Sequence, residues 1–139
     1  MKKHRAVIDT NVLYAGLYSA RGASYRILRL IEQGRVTPLL STTLLFEYEE
    51  VLKRNRDSLG LSDRDVEDVL DGLCSRGECR KIHFLWRPLL VDPKDDHILE
   101  LAVAGSAVDI VTHNLKDFGK ASSFGVRVIR PGELLGELK

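Results

Sequence analysis

The chain has 139 residues, the size of one domain that can bury a core without staples. Hydrophobic residues make up 44% and charged residues 29%, a globular balance, and a net charge of +1 excludes a nucleic-acid coat that relies on a broad basic surface. Cys74 and Cys79 are too few for a disulfide framework or a structural zinc site, no run is long enough to span a membrane, and the basic start Lys2-Lys3-His4-Arg5 lacks the apolar stretch of a signal peptide. A cytoplasmic protein with reduced thiols is therefore expected.

No repeat, low-complexity tract or linker interrupts the sequence, so residues 1–139 read as a single domain. Short apolar runs alternate with longer helical patterns, which predicts an α/β fold with a mainly parallel sheet. The first strand is Ala6-Val7-Ile8, ending at Asp9. A helix is predicted from about Ser24 to Gln33, with Ile27, Leu28, Leu30 and Ile31 inward and Gly34 as its stop. A second strand covers Val36 to Leu40, and Ser41 or Thr42 caps a helix through about Arg54. Ser62-Asp63-Arg64-Asp65 resembles a capping box opening a helix to about Leu73. Cys79 to Phe84 alternates weakly as a third strand, and a helix follows Pro93 from about Asp95 to Ala104, closed by Gly105. Asp109-Ile110-Val111 and Val126 to Ile129 read as strands, and Pro131 starts a short terminal helix.

Four segments place an acid where such a fold binds ligands. Asp9 directly follows a strand, and parallel α/β sheets bind beyond the carboxyl ends of their strands. An N-cap or turn role explains Asp9 equally well on position alone. Leu44, Leu45, Tyr48, Val51 and Leu52 form one apolar stripe, and Glu47 lies on its flank while Glu50 points to solvent. In Asp92-Pro93-Lys94-Asp95-Asp96, helical phase puts Asp95 on the face of Ile98, Leu99 and Ala102 and rotates Asp96 toward the edge. Asp95 is preferred, although acids at a helix start are common for dipole reasons alone. Thr112-His113-Asn114-Leu115-Lys116-Asp117-Phe118 follows a strand and offers Thr112 and Asn114 as hydrogen-bonding groups and Asp117 as a carboxylate. Carboxylates gathered this way repel one another, and a bound cation explains such a cluster; all-oxygen ligands suit Mg²⁺ or Mn²⁺ rather than zinc.

These motifs resemble the PIN-domain ribonucleases, especially the VapC-like toxins of bacterial and archaeal toxin–antitoxin pairs. Val7-Ile8-Asp9-Thr10-Asn11-Val12-Leu13 is similar to the family's first acidic motif, and Glu47 sits where the family has an acid on a helix after the second strand. The run from Asp92 to Ala102 resembles its third motif, in which an acid precedes an alanine by seven positions; that acid here is Asp95. The segment from Thr112 to Phe118 resembles its last motif. The resemblance covers nearly the whole chain and implies a three-layer α/β/α sandwich, metal-dependent cleavage of single-stranded or structured RNA, a homodimer and an antitoxin partner. It implies that Asp9 and Asp95 bind the main metal, that Glu47 is a ligand or the base for water, and that Asp117 serves a second, weaker ion. Asn11 and Thr112 would orient the carboxylates. Many relatives carry an Asp at the position of Asn114, so the neutral side chain here leaves open whether one or two ions bind.

An RNA needs cations nearby, and Arg21, Arg26, Lys116 and Lys120 lie on segments near the expected cleft edge, although solvated surface charge is the commoner role for any one of them. Tyr14, Tyr18 and Tyr25 could stack bases. Their near-helical spacing favours core or dimer contacts instead. A haloacid-dehalogenase-like phosphatase also begins with a strand and an Asp, but needs a second Asp where this chain has Asn11. A catalytically inert RNA- or protein-binding domain is disfavoured by four intact acids, since a pure RNA binder gains nothing from a negative pocket. RNA processing or DNA cleavage without an antitoxin stays open as another use of the same fold.

Overall fold

The computed structural model describes residues 4–82, 90, 92–106 and 108–138. Its strands are β1 (His4–Ile8), β2 (Val36–Leu40), β3 (Glu78–Cys79), β4 (Asp109–Val111) and β5 (Val128–Ile129). They form one sheet in the order β3-β2-β1-β4-β5, and every pairing in it is parallel. Ala6, Val7 and Ile8 of β1, Leu39 and Leu40 of β2, and Ile110 and Val111 of β4 are all buried. Such unbroken apolar runs are what strands covered on both faces require.

The helices are α1 (Thr10–Tyr18), α2 (Ala23–Glu32), α3 (Thr42–Arg54), α4 (Arg56–Leu59), α5 (Asp63–Arg76), α6 (Asp96–Ala104) and α7 (Pro131–Glu137). Parallel strands joined by right-handed crossovers dictate where they lie. The path β1 to β2 to β3 runs toward one edge and carries α1 through α5 on one side. The return from β3 to β4 reverses direction and lays α6 on the other, where it packs against β1, β2 and β4. The result is the expected α/β sandwich. Local chemistry sets the helix ends. Ser41 Oγ accepts from the Leu44 amide at 3.1 Å, and Ser62 and Asp65 form a reciprocal capping box. Past α2, Gly34 takes φ +76°, a left-handed conformation open to glycine at little cost.

Several elements differ from expectation, the short unexpected α4 among them. Helix α1 was not anticipated, because its apolar residues are diluted by Thr10, Asn11 and Gly16. Gly16 is there for packing: a Cβ on it would lie 2.6 Å from Leu28 Cδ1 and 3.0 Å from the Ser24 carbonyl oxygen of α2. The third strand ends at Cys79 instead of beginning there. β2 pairs Leu39 with Glu78 and Leu40 with Cys79, and the Arg80 amide then takes the Leu40 carbonyl at 2.8 Å. Beyond Leu40 the chain turns into α3, so a longer β3 would have no partner; residues 83 and 84 of the expected strand lie outside the described residues. Strand β5 starts at Val128 rather than Val126. Cys74 and Cys79 are exposed free thiols. Among the described residues no helix is long and apolar enough to cross a membrane.

Candidate active site

The strand order reverses direction between β1 and β4, and the carboxyl ends of those two strands open a crevice at this switch point. Asp9 follows β1 and Thr112 follows β4, side by side, with the Asp9 amide bonded to the Val111 carbonyl at 2.9 Å. Asp9 caps α1 and also faces its neighbour. Its Oδ1 accepts from the Thr10 amide at 2.8 Å, and its Oδ2 accepts from the Thr112 hydroxyl at 2.7 Å. The Thr112 hydroxyl has one proton, and the bonds it receives show where that proton goes. Asn11 Nδ2 donates to it at 3.3 Å and the Asn114 amide at 3.1 Å, so its own hydrogen is committed to Asp9. Asn11 Oδ1 in turn accepts from the His113 amide at 3.3 Å. Asn11 and Thr112 thus fix the Asp9 carboxylate.

Glu47 reaches the same crevice from α3. The inner stripe of that helix buries Leu44, Tyr48 and Leu52, and the Tyr48 hydroxyl donates to the Ile8 carbonyl at the end of β1. Glu47 sits beside this stripe, half-buried, as phase predicts. Its Oε2 accepts from the Thr10 hydroxyl. Its Oε1 accepts from His97 Nε2 at 3.1 Å. His97 and Thr10 escape a search for acids. Their bonds to Glu47 span 50 and 37 residues, and no local pattern signals either. His97 is buried, and among the described residues its Nδ1 has no hydrogen-bond partner.

Asp95 and Asp96 separate sharply, though not by the predicted route. Pro93–Asp95 is a 3-10 turn, and α6 begins only at Asp96. Asp95 is half-buried and makes no side-chain cap bond to the helix it precedes. Asp96, expected at the edge, is fully buried, and its Oδ1 accepts from the Leu90 amide at 2.9 Å. Its carboxylate therefore anchors the backbone at residue 90. Asp117 is half-buried in a second 3-10 turn, Leu115–Phe118, pinned by the buried Phe118. The Asn114 side chain is exposed.

Electrostatics ties the acids together. Burial, then the charges of Asp9, Asp92, Asp117 and Glu47, push Asp95 from its ordinary 3.8 up to about 6. Burial raises Asp9 as well, with Glu47 adding to it and the Thr112 and Thr10 bonds pulling against it. Burial would also raise Glu47, but the bonds from His97 and Thr10 outweigh it and hold its carboxyl below the ordinary range. Elsewhere the protein neutralises its acids with arginine: Arg5 pairs with Glu78, and Arg127 with Asp109 and Glu137, each at 2.6 Å. Among the described residues no Lys or Arg pairs with Asp9, Glu47, Asp95 or Asp117. Nor do three such side chains already converge on one point. The donor set is nevertheless all carboxylate oxygen, which fits a hard cation. Mg²⁺ takes one or two carboxylates and fills its octahedron with water, so an open, uncompensated cluster is compatible with it.

The four nominated cations, Arg21, Arg26, Lys116 and Lys120, are all exposed, and among the described residues none pairs with a carboxylate. Lys116 and Lys120 line one small surface cleft. Of the two roles expected for the tyrosines, core or dimer contact, the first does not hold. Tyr18 is 63% exposed, and Tyr14 and Tyr25 are only half-buried, so none is a core residue.

A family model described as PIN domain matches residues 5–116. No curated protein matches the chain significantly. Among solved structures, a chain of the crystal structure of VapBC2 from Rickettsia felis bound to a DNA fragment from their promoter is similar over 91% of this chain and 98% of its own. The TM-score is 0.64 at 18% identity, a likeness of fold.

Proposed function

The chain belongs to the PIN-domain family, and from that premise we propose that it is a metal-dependent endoribonuclease acting on single-stranded RNA. The observation that carries this reading is the group of acids at the switch point that, among the described residues, no Lys or Arg neutralises, with Asp95 pushed up to about 6. A folded protein tolerates such repulsion where a cation is meant to enter.

When bound, Mg²⁺ or Mn²⁺ supplies a Lewis acid for a phosphate oxygen and lowers the pKa of a coordinated water. Asp9 and Asp95 hold the ion, Asp9 in an orientation set by Thr112 and the Thr10 amide. Glu47 completes the set. Its carboxyl is kept ionised by His97 and Thr10, which suits a ligand better than a proton acceptor. Asp117 draws a second, weaker ion, since Asn114 adds no charge beside it. Arg21, Arg26, Lys116 and Lys120 form a rim for the RNA backbone, and Asp96 anchors the backbone at residue 90.

The likeness to VapBC2 favours a toxin held in check by a small antitoxin protein, in the cytoplasm. An apolar groove of about 310 Å³ lined by Leu13, Leu17, Leu28, Ile31, Val69 and Leu73 offers that partner a surface. The family resemblance also favours a homodimer.

Purified protein should cleave single-stranded RNA in Mg²⁺ or Mn²⁺ and stop in EDTA. Attack by water leaves a 5′-phosphate and a 3′-hydroxyl, whereas attack by the ribose 2′-hydroxyl leaves a cyclic phosphate. Cleavage that persists in EDTA, or cyclic-phosphate ends, would falsify the reading. Cleavage of DNA in preference to RNA would keep the metal site and change the substrate.

A further inference from the structure

We propose that the outer ring face of Tyr18, braced from behind by Tyr14, is a stacking platform for one base of single-stranded RNA, a nucleotide flanking the cut. The inference rests on the nuclease reading above and names where its substrate is gripped. Tyr14 and Tyr18 lie one helical turn apart on α1, with ring centroids 5.9 Å apart and planes 19° from parallel. That is an offset stack, within the favourable range for aromatic pairs. Tyr14 stacks, offset, against the Tyr18 ring, and Tyr18 as a whole is 63% exposed, which leaves room for a base to add to the stack. Contrast Tyr48, which is 1% exposed and spends its hydroxyl on the Ile8 carbonyl. A structural tyrosine looks like that one; Tyr18, at 63% exposure, does not.

Position links the stack to the acids. Tyr14 shares a surface cleft with Thr10, Asn11, Val51 and Asn55. Thr10 is the residue bonded to Glu47, and Asn11 is the one bonded to Thr112. The cleft therefore runs from two residues that bond to the acid-holding groups to Tyr14, one helical turn before Tyr18. At 1.5 Å per residue, Tyr18 stands about 13 Å along the chain axis from Asp9, beyond the nucleotide being cut. Arg21 comes three residues later, exposed, with its amide held by Ser19 Oγ at 3.3 Å. A cation past the ring suits the phosphate next to a stacked base. A protein partner is the poorer occupant. Tyr18 does not line the apolar groove offered above to an antitoxin, and Ser19, Ala20, Arg21 and Gly22 after it in sequence add no large apolar side chain.

The test measures binding of short single-stranded RNA oligonucleotides of each base, by fluorescence anisotropy in Ca²⁺, for wild type, Tyr18→Leu and Tyr18→Phe. Leucine keeps apolar bulk without a π face and should weaken binding about tenfold, while phenylalanine stays within about twofold. Double-stranded RNA, whose bases are not available for stacking, should bind all three alike. Equal single-strand affinity for wild type and Tyr18→Leu overturns the platform. If that result comes with intact metal-dependent cleavage, the nuclease reading survives alone. Wild type that neither binds nor cleaves any RNA removes both. A fall in sedimentation mass in Tyr18→Leu would make the ring a contact between copies of the chain and also overturn the proposal.

Discussion

Replacing Asp95 by asparagine should stabilise the metal-free protein at neutral pH while destroying its metal response. The folded state raises the Asp95 carboxyl from 3.8 to about 6, through burial and the charges of Asp9, Asp92, Asp117 and Glu47. A folded pKa above the unfolded one means that the native state binds more protons between those values. Stability therefore falls as pH rises from about 3.8 to 6 and stays lowered above that. At 1.36 kcal/mol per pH unit the penalty is at most about 3 kcal/mol. Asp95 is half-exposed, so solvent screening reduces this to about 1–2 kcal/mol. Asparagine cannot ionise, and Asp95 makes no side-chain cap bond that it would lose. In EDTA near pH 7.5 the variant should melt about 4–6 °C above wild type. Near pH 4.5 the gap should shrink, because wild-type Asp95 is then protonated in the folded state. About 1 M NaCl should shrink it too, where the Debye length is about 3 Å. In millimolar Mg²⁺ the order should reverse, since only wild type gains binding energy from the ion. Thermal melts followed by circular dichroism across pH, with EDTA and with Mg²⁺, decide the matter. A variant less stable than wild type in EDTA at neutral pH, or an advantage that ignores pH, refutes the repulsion argument.

Asp96→Asn should behave in the opposite way, because the buried Asp96 carboxylate holds the Leu90 amide. A mismatched amide there should cost about 1–3 kcal/mol, read as a lower melting temperature with or without metal, while the folded fraction keeps cleavage. His97→Leu should weaken Mn²⁺ binding about 10- to 100-fold, measured by electron paramagnetic resonance titration, by freeing Glu47 Oε1. His97→Gln can still donate a bond from a similar position and should recover part of that affinity; equal affinity for the leucine variant and wild type would show that His97 does not orient Glu47.

The arrangement of the crevice explains why its acids have different characters. Asp9 is fixed by two hydrogen bonds from the elements that form the switch point, and Glu47 by two from opposite sides of the sheet, Thr10 on α1 and His97 on α6. Asp95 has no such clamp among the bonds described and takes the full effect of its neighbours' charge. Among Asp9, Glu47 and Asp95, the carboxylate pushed up furthest is thus the one with the fewest described donors, which makes it the most responsive of the three to an arriving cation.

Much of this was legible from local chemistry. β2 and β4 occupy the residues that apolar runs predict, Ser41 and Ser62 cap the helices they should, and the strand ends at Asp9 and Val111 point to a ligand site in any parallel sheet. Helical phase was enough to bring Glu47 inward. These properties depend on a few consecutive residues, so one sequence contains them. What depended on the tertiary structure was the environment of each charge. Every residue of α6 from Asp96 to Ala102 is buried, so helical phase cannot separate an inner from an outer face there and misplaces Asp96. Whether Asp96 is buried depends on where residue 90 passes, and whether Glu47 is held depends on a threonine 37 residues away and a histidine 50 away. The spacing of Tyr18 fits a core or a dimer contact, and spacing cannot tell a ring stacked at the surface from one packed inside. Burial and charge compensation are sums over everything within several ångströms, and only the folded chain brings those contributors together.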